Sequence, residues 1–154
     1  MAYALKRLST SCLVCLVIAC FVLPDFRGAS AADKRRGGAT QVARLGREFK
    51  LRVGQRADLK EGNLRIKFAS VEESRCPRNV TCVWAGNAQV LIEVGTRNGR
   101  GKSMKLNTMG SPQLPSEGKY KSYTVTLVEV NPYPQDGQEI AAGDYAVTLV
   151  VSKE

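Results

Sequence analysis

No histidine occurs anywhere in the 154 residues. Nucleophiles activated by an imidazole base are therefore excluded, as are zinc or copper sites built on imidazole nitrogen. Cysteine is scarce as well. Of five, Cys12, Cys15 and Cys20 lie close to the N-terminus, which leaves Cys76 and Cys82 for the rest of the chain. Two sulfurs cannot close a four-cysteine zinc site. A Cu(I) site on the reduced pair is the remaining metal option, and a disulfide is favoured over it in an oxidising compartment. No metal and no cofactor is expected. Adjacent Glu72 and Glu73 would point to opposite faces of a strand and could not flank a substrate together. Asp136, Glu139 and Asp144 miss the spacing of a calcium loop. The segment from Arg97 to Lys102 lacks the first glycine of a phosphate-cradling loop and the helix that should follow it. The chain is not expected to be an enzyme.

What is present begins with a leader. Lys6 and Arg7 precede an unbroken apolar run, Cys12 to Leu23, which Pro24 ends; Ala29-Ser30-Ala31-Ala32 follows. Positive start, apolar stretch and small-residue cleavage site in that order describe a secretory signal peptide over residues 1–32. The run is too short to span a bilayer of roughly 30 Å, and no transmembrane helix is expected in the mature chain. Val17-Ile18-Ala19-Cys20 has the shape of a lipid-attachment box, so lipidation at Cys20 is the alternative, but Phe21-Val22-Leu23 continues the apolar run where a lipoprotein turns polar. Export to the periplasm or the medium follows. The leader carries away Lys6, Arg7, Arg27 and Asp25, so the formal net charge of +9 becomes about +7. In an exported chain that charge points to anionic envelope components or acidic proteins, not to nucleic acid.

Residues 33–47, opening on Lys34-Arg35-Arg36-Gly37-Gly38, read as a flexible basic arm. Residues 48–154 then alternate with period two. Phe49, Leu51 and Val53 alternate with charged neighbours, as do Leu64, Ile66 and Phe68, before Val71 breaks the register and implies a bulge near Ala69-Ser70. Met104 and Leu106 form a shorter stretch. Tyr123, Val125 and Leu127 lead into a register shift toward Val128 and Val130, and Tyr145, Val147, Leu149 and Val151 close the chain. From Cys82 to Val94 every even position is apolar or small, which predicts one long strand with the sulfur, the Trp84 indole and an aliphatic row on one face; Gly86 would mark a kink. Asn98-Gly99 suits a type I′ turn, and Glu61-Gly62-Asn63, residues 132–137 and Ala142-Gly143-Asp144 are further turn signals. No segment sustains a helical period. The expectation is an all-β domain, an antiparallel β-sandwich of six to seven strands, immunoglobulin-like, with a small β-barrel as the alternative.

Residues 73–88, Glu-Ser-Arg-Cys-Pro-Arg-Asn-Val-Thr-Cys-Val-Trp-Ala-Gly-Asn-Ala, form the most distinctive segment. They resemble a family of bacterial exported proteins, many of them lipoproteins, with the pattern (D/E)-S-R-C-P-x-x-V-x-C-x-W-x-G-x-A. Supporting matches lie at Gly54-Gln55, residues 123–127, Asn131-Pro132-Tyr133-Pro134 and residues 145–149. The resemblance implies a small envelope domain without an assigned activity. Glu73 stands where the family has mostly Asp, and this leader looks cleavable where the family's is mostly lipid-anchored.

Each motif residue has a structural reading. Cys76 and Cys82 close a tight loop, whose entropy contribution is roughly 2 kcal/mol, and Pro77 restricts the loop's first residue. Trp84 would cover the disulfide and fill the core. Gly86 permits close approach, and Arg75 would pair with Glu73 or cap loop carbonyls. In the functional reading, Arg75, Arg78 and Asn79, together with Arg97 and Arg100, contact a partner. The leading expectation is a non-catalytic binding or accessory domain of the cell envelope that meets an anionic or protein partner. An inhibitor of exported hydrolases is the second reading, and an enzyme using carboxylate chemistry the third.

Overall fold

The computed structural model describes residues 39–154, apart from Asn98. The segment expected to be a signal peptide, Cys20 within it and the first part of the expected basic arm lie outside the described residues. Nine strands run through the rest: β1 (Thr40–Ala43), β2 (Phe49–Arg52), β3 (Arg56–Leu59), β4 (Leu64–Glu73), β5 (Ala88–Thr96), β6 (Lys102–Asn107), β7 (Glu117–Tyr120), β8 (Tyr123–Asn131) and β9 (Ala146–Lys153). They form two open sheets, one of five strands in the order β1-β3-β4-β5-β6 and one of four in the order β2-β9-β8-β7. Two open sheets sharing one core make a sandwich and not a closed barrel.

Alternation builds the core as expected. Leu64, Ile66 and Phe68 of β4, Val90, Ile92 and Val94 of β5 and Leu106 of β6 are fully buried from the five-stranded side. Leu51, Val125, Val147, Leu149 and Val151 are fully buried from the other. Each such side chain is stabilised by about 1.5–3 kcal/mol relative to exposure. Both expected register breaks occur. β4 bulges between Phe68 and Ser70, which brings Val71 opposite Val90. β8 bulges between Leu127 and Glu129; the bulge turns Val130 inward but leaves Val128 in solvent, contrary to the expected inward pair.

Three expectations need correction. Strands number nine, because β1, β3 and β7 each span only four residues and carry too little alternation to stand out. β1 lies within the segment read as a flexible arm, where its pairing with β3 fixes residues 40–43. That pairing is parallel, so the fold is not wholly antiparallel. The β5–β6 connection closes through Gly99 N–H donating to Thr96 O at 3.2 Å; the turn expected on Asn98-Gly99 includes Asn98, which lies outside the described residues.

The ends of the sandwich matter for function. β5 begins beside the cystine loop and finishes at the Arg97 hairpin, so these two features lie at opposite ends, roughly 30 Å apart for nine residues at 3.4 Å each. Residues 74–87, 108–116 and 132–145 connect strands at the cystine end.

Candidate functional site

Cys76 and Cys82 are joined by a disulfide, with their Cα atoms 5.9 Å apart. The β4–β5 ladder continues irregularly toward it: Ser74 N–H donates to Asn87 O and Cys76 N–H to Ala85 O, both at 2.9 Å. Gly86 sits inside this extension at φ +71°, and a Cβ there would lie 1.9 Å from the Ser74 carbonyl oxygen. Glycine is required at 86 for both reasons, in agreement with the close approach expected of it.

The same glycine overturns the reading of Trp84. Its left-handed backbone interrupts the alternation, so regular strand begins only at Ala88 and residues 82–87 form a loop. Trp84, the chain's one tryptophan, is 82% exposed and Val83 92% exposed. The indole does not fill the core.

Arg75, offered both as framework and as a partner contact, is buried. Its guanidinium forks onto the Glu73 carboxylate through Nε and Nη2. Nη1 donates to Val130 O at 2.8 Å and Nη2 to Pro132 O at 3.0 Å. Pairing with Glu73 and capping of loop carbonyls therefore both occur, and together they tie the end of β4 to the end of β8 in the opposite sheet. Tyr145 is buried beside this pair; burial first, and the Glu73 charge second, push its phenol above the ordinary tyrosine range.

Two further ties fix the end. The Arg75 and Arg78 guanidinium carbons lie 4.5 and 5.1 Å from the Tyr133 ring centroid, in the range of cation–π attraction. Arg78 N–H also donates to Pro134 O at 2.9 Å. The Asn87 side-chain oxygen accepts from the backbone of Thr108 at 3.1 Å and of Met109 at 3.4 Å. Its amide donates to buried Asn107 at 2.8 Å. Between these loops opens a cleft of about 490 Å³, with Arg75, Arg78, Gly86 and Tyr133 on its lining and Met109 and Val128 as apolar walls. Val80, Val83, Trp84, Met109 and Val128 are all exposed, and all sit on or beside the loops that frame it. Glu129 is the acid among the lining residues, whereas carboxylate catalysis needs two that face each other.

Of the remaining sequence-selected residues, Pro77 is half-buried in the cystine loop, and Arg78 and Asn79 are exposed on it, Asn79 at φ +74°. Arg97 and Arg100 are exposed at the far hairpin. The structure thus brings Arg75, Arg78 and Asn79 together and separates them from Arg97 and Arg100. Sequence reasoning missed Tyr133, Met109, Asn87 and Asn107 as parts of the site. The Asn-Pro-Tyr-Pro turn was a usable signal for the first, and the two asparagines carried none.

No protein-family model, curated protein or solved structure matches the chain. The cystine loop agrees with an extracytoplasmic domain, since such bonds persist in oxidising compartments. Among the described residues no helix is long and apolar enough to cross a membrane.

Proposed function

We propose that this chain is an exported, non-catalytic binding domain of the bacterial cell envelope that meets a protein partner through the cystine-loop end of an immunoglobulin-like sandwich. The observation that carries the reading is the 82% exposure of Trp84 on a loop held by a disulfide, a required glycine and inter-loop hydrogen bonds. Tryptophan is the residue most enriched among interface hot spots, and a pre-fixed loop loses little entropy when a partner orders it. The leader and the resemblance of residues 73–88 to bacterial exported proteins support the location. A protein partner fits this end better than a polyanion, because Glu73 neutralises Arg75, Arg78 is the one selected cation left exposed here and lies over the Tyr133 ring, and Arg97 and Arg100 lie at the far end.

The test compares envelope proteins retained by immobilised wild type with those retained by Trp84→Ala. A specific partner should be lost by the variant, and the purified partner should shift the emission of the single indole to the blue and shield it from acrylamide. A partner that binds both proteins equally and leaves the indole quenchable would defeat the reading. A captured hydrolase inhibited by wild type but not by the variant would identify the binding as inhibitory.

A further inference from the structure

The opposite end of the molecule carries a second surface, independent of the cystine loop. On the outer face of the five-stranded sheet, register places Arg56 opposite Lys67, Lys67 opposite Glu93, and Asp58 opposite Arg65. Arg97 reaches the same group from the end of β5. Asp58 is shared: Arg65 Nε lies 2.7 Å from one of its oxygens and Arg97 Nε 3.5 Å from the other. Lys67 Nζ lies 3.1 Å from Glu93. Four cations thus face two carboxylates, and Arg56 has no carboxylate within ion-pair distance among the described residues.

The four cations and Glu93 rim a hollow of about 230 Å³ whose lining includes Gly95, Gly99 and Gly101. Gly95 and Gly101 face each other across the hairpin so closely that a Cβ on Gly95 would lie 2.9 Å from the Gly101 Cα. The paired backbones close on each other there, so these glycines send no side chains into the hollow, and Arg56, Arg65 and Arg97 form its walls.

We propose that this face binds an anionic polysaccharide bearing closely spaced sulfate or phosphate groups. The spacing of the cations carries the assignment. Neighbours across strands stand about 4.8 Å apart, and alternate residues along β4 about 7 Å apart. That grid suits successive charged groups on an extended polymer. A single small anion is a poorer fit: Arg65 and Arg97 side chains are 39% and 50% exposed, and salt screens isolated contacts at such exposure. A polymer engages several cations at once and gains by multivalency. A lipid surface is disfavoured because the exposed large apolar side chains other than Val42 belong to the cystine-loop end.

The experiment measures binding of the whole chain to dextran sulfate, inorganic polyphosphate, uncharged dextran, free sulfate and phosphatidylglycerol vesicles. The expected result is salt-sensitive binding to dextran sulfate or polyphosphate and none to uncharged dextran. The two anionic polymers distinguish sulfate from phosphate. Arg56→Gln and Arg97→Gln together should weaken that binding roughly tenfold. The double variant Lys50→Gln/Lys121→Gln, equal in net charge, should stay within about twofold of wild type. Single variants at 56 and 97, with circular dichroism as the check on folding, preserve the comparison if the pair perturbs the sheet. Equal weakening by the control pair would show that net charge alone is responsible. Free sulfate binding as well as the polymers, or vesicles outcompeting both, would also overturn the assignment, as would the absence of wild-type binding. Trp84→Ala leaves this face untouched, so the two proposals fail separately.

Discussion

Arg75→Ala tests whether the most elaborate side chain of the motif is framework or recognition surface. The Arg75 side chain is 7% exposed and that of its partner Glu73 17%. Truncation leaves that carboxylate with the Arg75 backbone N–H at 2.9 Å, and strips the Val130 and Pro132 carbonyls of their donors. Removing one member of a buried ion pair costs about 3–5 kcal/mol, since the other charge stays behind uncompensated. Water can reach part of Glu73, which favours the lower half of that range. Against a total stability of about 5–15 kcal/mol, the variant should remain folded but unfold at least 10 °C or so lower. Urea titration followed by far-UV circular dichroism is the suitable assay, because Trp84 is already in water and its emission is a poor reporter of unfolding. Glu73→Gln combined with Arg75→Met removes both charges and should recover about half of the loss. A loss below about 1 kcal/mol for Arg75→Ala would refute the argument. The guanidinium would then be solvated in practice and free to meet a partner.

Two other substitutions probe the ends separately. Gly86→Ala forces a Cβ against the Ser74 carbonyl at left-handed φ, where the backbone term alone is about 1–2 kcal/mol. A total of about 3 kcal/mol or more is expected in the same urea assay, and a neutral result would mean that residues 74–76 and 85–87 are not paired. Asp58 is held below the ordinary aspartate range, first by the hydrogen bond from Arg65 and also by the charges of Arg65 and Arg97. A depressed folded value makes its contribution fully present above the unfolded value of about 4 and lost as pH falls through the folded one. Asp58→Asn should therefore be less stable than wild type near pH 6, with the gap closing on acidification; a constant gap down to about pH 2 would contradict the pairing.

Strands were legible wherever one face is buried for long enough. β4 and β9 alternate over enough residues that Leu64-Ile66-Phe68 and Val147-Leu149-Val151 declare an inward face, and the two bulges showed as breaks in otherwise regular rows. β1 and β7 lie at sheet edges with one neighbour each, so Thr-Gln-Val-Ala and Glu-Gly-Lys-Tyr need little apolar character to pair. Arg56-Ala-Asp-Leu59 buries Asp58 through its arginine partners, and a charge satisfied across strands cannot be recognised along one. The cleft was legible only in part. Its cystine loop and Pro-Tyr-Pro turn are marked by unusual residues, but the hydrogen bonds of Asn87 to Thr108 and Met109 join positions twenty or more apart in sequence.

The error over Trp84 shows how the motif divides. Alternation through Cys82, Trp84, Gly86 and Ala88 assumed one continuous extended backbone, and extrapolating a strand backward through a glycine at positive φ is unsafe because that residue redirects everything before it. Once the strand ends at Ala88, the motif separates into two groups by what each side chain touches. Glu73, Arg75, Gly86 and Asn87 spend their chemistry on neighbouring backbone and on one another, and substitution there should be read as damage to the frame. Val83 and Trp84 bury almost none of their surface, and the exposed Arg78 guanidinium answers to no carboxylate among the described residues. A domain that needed the motif only to close a sandwich has no use for an indole in water, whose exposure adds no core and invites association. The two groups must therefore respond oppositely. Changes at the first should lower stability, with binding lost only through unfolding, whereas changes at Trp84 should abolish partner capture and leave the unfolding midpoint where it was.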